Sequence, residues 1–128
     1  MNDLPDDVRR FLAANIGSVA QLEVLLLLRC GRDRAWSAAE VSRALYTAPE
    51  MMEVQLADLQ SKALLEVANA SERHYRYAPQ IEGVDDVIGR LADLYKQRRV
   101  AVISWMYAEP VDKAQRFADA FRIRKEGQ

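Results

Sequence analysis

The stretch Ser37–Pro79, SAAEVSRALYTAPEMMEVQLADLQSKALLEVANASERHYRYAP, decides the fold. It opens on a helix start. Ser37 at the N-cap can accept from the backbone of Glu40, and the Glu40 carboxylate can reach back, while Trp36 and Val41 stand where a hydrophobic staple would close. The same signature returns as TAPE, with Thr47 as the expected cap and Pro49 tolerated in the first turn, where its missing N–H has no partner. Beyond this second start, Met52, Leu56 and Leu59 form an i, i+4, i+7 stripe that should face inward. After Lys62 the apolar period shortens. LLEVA and HYRYA read as two strands around the polar tip NASER, with Tyr75 and Tyr77 on one face and His74 and Arg76 on the other. Two short helices joined by a tight turn, then a hairpin, predict a mainly α fold (α+β with a small two-stranded wing), a winged helix-turn-helix.

Upstream, Asn2 or Asp3 can cap a helix with Pro5 near its first turn, running through VRRFLAAN to Gly17. Ser18 and Gln21 form a further capping box, and the helix they open is apolar almost all round, so it must be buried on more than one side until Gly31 ends it. Downstream, one long helix is expected from about Val84 to Tyr107. Its stripe of Val84, Ile88, Leu91, Tyr95, Val102 and Met106 passes through charged Arg98 and Arg99, and Pro110 breaks it. A last helix, VDKAQRFADAFRIRK, would line up Ala114, Phe117, Ala118 and Phe121. The expected organisation is a winged domain with N-terminal helices over residues 1–80 and a C-terminal helical dimerisation element over residues 81–128. Its interface would use Leu91, Tyr95, Val102, Trp105, Met106, Phe117 and Phe121. The alternative is that these helices pack back on the first two of the same chain.

Half of the 128 residues are hydrophobic and the formal net charge is −1, so the chain can bury a core and has no overall basic field. Cys30, the only cysteine, excludes an internal disulfide and a cysteine metal cluster and reads as a small buried hydrophobe. The N-terminus lacks an apolar leader, and the runs Val24–Leu28 and Val100–Tyr107 fall well short of the ~20 residues that cross a bilayer, so a cytoplasmic protein without a membrane partner is expected. Catalysis is not expected either. His74 is the only histidine and has no nucleophile or carboxylate at a recognisable spacing; no glycine-rich phosphate loop or metal-ligand set appears, and no cofactor is expected.

From SVAQLEVLLLL through WSAAEVSRAL, LADLQSKALLEV and HYRYAP, the chain resembles bacterial winged-helix transcription regulators of the MarR-like kind. It is closer still to small bacterial winged-helix proteins with a helical tail resembling LYKQRRVAVISWMYAEP…FADAF. The resemblance implies a homodimer through the terminal helices, Thr47–Lys62 as recognition helix in the major groove and Asn69–Arg76 as wing on the DNA backbone. It would also allow an effector pocket near Trp105, Tyr107 and Phe117. Two positions where such proteins often carry glycine are Tyr46 and Ala63 here.

The charge on the expected DNA face runs the other way. With the Met52 stripe inward, the outer face of the second helix presents Glu50, Glu53, Val54, Ala57, Asp58 and Ser61. Between Ser37 and Pro79, six acids stand against four bases. DNA affinity rests on Lys and Arg at phosphates, whereas carboxylates can only read a cytosine edge once something else holds the helix in place. Candidates for that hold are Arg29, Arg32, Arg34, Arg43, Arg73, His74 and Arg76, and Thr47 and Gln55 are further candidate DNA-binding residues. Two functions therefore stand as expectations. One is a sequence-specific DNA-binding transcription regulator acting as a homodimer. The other is a winged-helix interaction module whose acidic helix binds a basic partner regulator.

Overall fold

The computed structural model describes residues 4–69 and 71–108. Among these, six helices and one hairpin follow in order: α1 (Asp6–Asn15), α2 (Val19–Cys30), α3 (Ala38–Leu45), α4 (Pro49–Ser61), β1 (Leu65–Asn69), β2 (His74–Tyr77), α5 (Val84–Gln97) and α6 (Arg99–Met106). The protein is mainly helical with a small antiparallel sheet, an α+β arrangement. It divides into two compact units, Asn15–Asp86 and a second built from the chain on either side of it. In this division the N-terminal helix groups with the chain after Asp86.

In the Asn15–Asp86 unit, α2 packs against α3, α4 and β2, burying Leu22, Val24, Leu25 and Leu28. Its cap follows the sequence only in part. Ser18 Oγ accepts from the Gln21 amide at 3.1 Å, but Gln21 Oε1 accepts from Gly17 N–H (2.9 Å), one residue before the cap. The buried Gln21 amide then donates from Nε2 to Asp58 at 2.8 Å, tying α2 to α4. Cys30, expected to be buried, is exposed at the end of α2.

The Ser37 box closes on both sides: Glu40 N–H donates to Ser37 Oγ (3.2 Å) and Ser37 N–H to Glu40 Oε1 (2.9 Å). The Thr47 box does not form. Ala48 is the N-cap of α4 and offers no side-chain bond, with Pro49 in the first turn. Thr47 is instead taken up in closing α3: its amide donates to Ser42 O at 3.1 Å and its carbonyl accepts from Ser42 Oγ. The cause is Tyr46, which ends α3 in the left-handed region (φ 58°, ψ 48°) and turns the chain one residue too early for Thr47 to cap α4. Ala63 is left-handed as well (φ 65°). Both are positions where the resemblance leads one to expect glycine, and a side chain there costs about 1 kcal/mol.

The strands pair in register Leu65↔Tyr77, Glu66↔Arg76 and Val67↔Tyr75, with an irregularity between Val67 and Asn69. Tyr75 and Tyr77 are buried on one face, as alternation requires. On the other edge of β2, Trp36 and Tyr75 exchange backbone hydrogen bonds of 2.7 and 2.8 Å, so β2 lies between Trp36 and β1. The sequence reading contained no such bridge.

The described part of the second unit covers residues 4–14 and 87–108. Leu4, Val8, Phe11 and Leu12 are buried on the α1 side, Ile88 and Leu91 on α5, and Val102 and Trp105 on α6. Asp7 meets Arg90 at 2.5 Å, and that bond holds the Asp7 carboxyl below its ordinary range. The long helix expected over residues 84–107 is two. It breaks at Arg98 (φ −134°, ψ 51°), within a run from Lys96 to Arg99 that offers no apolar side chain to bury. Leu91 and Val102 are fully buried within a single chain and Trp105 nearly so. Of the expected dimer residues, Tyr95 and Met106 keep partial exposure, while Phe117, Phe121 and the expected last helix lie outside the described residues. No single described helix is long and apolar enough to cross a membrane.

Candidate interaction surface on the fourth helix and the hairpin

The periodicity of α4 separates its two sides. Met52, Leu56 and Leu59 are fully buried, as their spacing requires. The opposite side presents Glu50, Met51, Val54, Ala57 and Ser61 to solvent, and Pro49–Ser61 holds no lysine or arginine. Large apolar side chains stand open here: Tyr46 is 93% exposed at the α3–α4 turn, Val54 64% and Met51 55%. On a helix Glu50, Met51 and Val54 fall within about 100° of arc, so the three form one patch.

The flanking acids are engaged inside the unit. Glu53 accepts from the Tyr75 hydroxyl at 3.1 Å and lies 3.8 Å from Arg73. Asp58 sits 2.9 Å from Lys62 and accepts from Gln21, and these two bonds, Lys62 first, hold its carboxyl below the ordinary range. Lys62 also donates to Asn15 O at 2.8 Å.

Three of the cations expected to hold DNA phosphates, Arg34, Arg73 and Arg76, lie against carboxylates. Arg34 pairs with Glu40 at 2.8 Å and lies over the Trp36 ring at 3.9 Å. Glu40 is held below its usual range first by the Ser37 amide and then by Arg34. Arg76 faces Glu66 across the hairpin at 3.8 Å, and Arg73, left-handed at φ 54°, faces Glu53. His74 Nδ1 is buried 4.0 Å from Glu72 without hydrogen-bonding it. Arg43 is exposed and pairs with no described carboxylate. Thr47 is exposed with its backbone used by Ser42, and Gln55 is half-buried on α4. Exposed pairs of this kind contribute roughly 0–1 kcal/mol each, so they cancel the local field more than they stabilise the fold.

One cluster had no counterpart in the sequence reading. Asp85, in the first turn of α5, accepts from the Tyr77 hydroxyl at 2.5 Å and lies 3.5 and 3.4 Å from Arg29 and Arg32, with Arg32 also over the Tyr77 ring at 5.0 Å. Burial first, then Asp85, drives the Tyr77 hydroxyl far above its ordinary pKa, while the same bond holds Asp85 low. Arg32 is therefore committed to the base of the hairpin.

Charge divides along the two units. Asn15–Asp86 carries seven bases against eleven acids, a net of −4, while the rest of the chain carries eleven against eight, a net of +3. Among the described residues no group of three or more His, Cys, Asp or Glu could hold a metal ion. The sequence matches no family model, no curated protein and no solved structure.

Proposed function

We propose that the protein is a winged helix-turn-helix regulator of the MarR-like kind whose outer α4 face binds another protein rather than DNA. In this reading α3 and α4 are the helix pair and β1–β2 is the wing. One observation carries it: α4, the helix that would enter the major groove, has no basic residue and exposes Met51 and Val54, with Tyr46 exposed at the turn before it. A DNA-reading helix needs cations at phosphates and polar groups at base edges. A protein interface wants an apolar centre with a polar rim, and aromatic and Met side chains are enriched there. The net charge of −4 on this unit points the same way.

The test is site-specific cross-linking in the source cell, with a photoreactive side chain at Val54 and, as control, at exposed Glu82. A protein adduct formed at position 54, absent at 82 and lost with Met51→Ser supports the proposal. Adducts that form equally at both positions, or at neither, contradict it.

DNA binding stands as the second reading, favoured by Arg43, whose exposed guanidinium on α3 has no described carboxylate partner. Phosphates could also draw Arg73 and Arg76 from their long, exposed pairs. As phosphate contacts, Arg43→Ala and Arg73→Ala should then weaken binding alike on all sequences.

A further inference from the structure

We infer that the segment received by the outer face of α4 is a basic amphipathic helix. The inference rests on the proposed protein-binding role of that face and names the chemistry of its occupant. Three observations lead to it. The apolar ground is narrow: Met51 and Val54 lie side by side on one helix and Tyr46 stands at its start, a strip that matches the stripe of a second helix better than a broad surface. The acid within the strip is left over. Glu50 in the first turn of α4 is exposed and makes no ion pair with a described base, and Glu72 at the hairpin tip of the same unit is exposed with only His74 at 4.0 Å. The third observation is the net charge of −4 on the Asn15–Asp86 unit, which supplies a field that steers cations inward and repels an acidic helix.

The pieces have distinct roles. Tyr46, Met51 and Val54 supply the desolvated centre on which affinity depends. Glu50 and Glu72 supply orientation and association rate, as rim charges do. Glu53 and Asp58 are not free to serve, because Tyr75, Arg73, Lys62 and Gln21 already hold them. Loss of Glu50 should therefore act mainly through salt-dependent association, and loss of Val54 through dissociation.

The experiment uses the full chain, labelled with nitrogen-15, and three synthetic 15-residue helical peptides. All three share leucines at i, i+3, i+4 and i+7 and differ in carrying Lys, Gln or Glu at the remaining positions. The Lys peptide should shift the amides of Tyr46–Asp58 and bind at least about tenfold more tightly than the Gln peptide at low salt, a difference of roughly 1.4 kcal/mol. The Glu peptide should not bind. Glu50→Lys should remove most of the Lys-peptide advantage, and Val54→Ser should weaken the Lys and Gln peptides alike. Both positions are exposed, so unchanged thermal melting certifies the fold of each variant. Equal affinity for Lys and Gln peptides, shifts spread over the surface, or no binding by any peptide would overturn the inference. The cross-link at Val54 is read independently. An adduct there combined with a failed peptide series would leave a protein-binding face with a different occupant.

Discussion

Met51 and Met52 are neighbours on α4 with opposite surroundings: Met52 is sealed against the core with Leu56 and Leu59, while Met51 lies open on the same side as Val54. The inner side is explained by folding. The outer side is not, because leaving large apolar groups in water gains the fold nothing. One helix thus separates side chains buried in the core from large apolar side chains open to solvent, and the proposed function assigns the open ones to a partner. Mutations should respect that division.

The largest effect belongs to the inner side. Leu56→Ala should lower unfolding stability by about 3 kcal/mol in denaturant titrations, since it removes a fully buried side chain and leaves a cavity. Tyr77→Phe comes next, at about 1.5 kcal/mol, for the loss of a buried hydrogen bond to Asp85. It carries a pH signature. The folded-state pKa of Tyr77 is raised, so its contribution is fully present below the unfolded value of about 10 and declines as pH rises beyond it; the phenylalanine variant should lack that alkaline component. Ser37→Ala should cost about 1 kcal/mol, whereas Thr47→Ala should stay within about 0.5 kcal/mol, because only the first of the two matching signatures forms a cap. The smallest effect is on the outer side: Met51→Ser and Val54→Ser should each change stability by less than about 0.5 kcal/mol, while Met51→Ser abolishes the cross-linked adduct at position 54 and Val54→Ser weakens peptide binding. A large loss of stability in Val54→Ser would erase the distinction between the faces.

What could be read from sequence was what depends on near neighbours. The Ser37 box, the buried stripe of α4 and the shared face of Tyr75 and Tyr77 all follow from local spacing. The failures lie in backbone conformation and in contacts between distant residues. Thr47 carries every local mark of a cap, yet the left-handed Tyr46 sets the chain one residue out of place. The break at Arg98 had a visible sign in the wholly polar run from Lys96 to Arg99, but the apolar residues on either side suggested continuity. Asp85 with Arg29, Arg32 and Tyr77 joins residues up to 56 positions apart, and no periodicity announces such a cluster. The candidate surface was half legible. Its acidic sign was plain in the letters, but the engagement of Arg34, Arg73 and Arg76 by Glu40, Glu53 and Glu66 depends on the turn and on strand register.

Fluorescence anisotropy of the full chain on duplex DNA, repeated at several salt concentrations, tests the central claim most directly. If the outer face of α4 is a protein-binding surface, affinity should stay at or below the non-specific level, with Kd no tighter than about 10⁻⁶ M at physiological salt. Tight binding whose logarithm falls with log salt at a slope of about −4 or steeper, and which Arg43→Ala and Arg73→Ala each weaken, would contradict it and return α4 to the major groove.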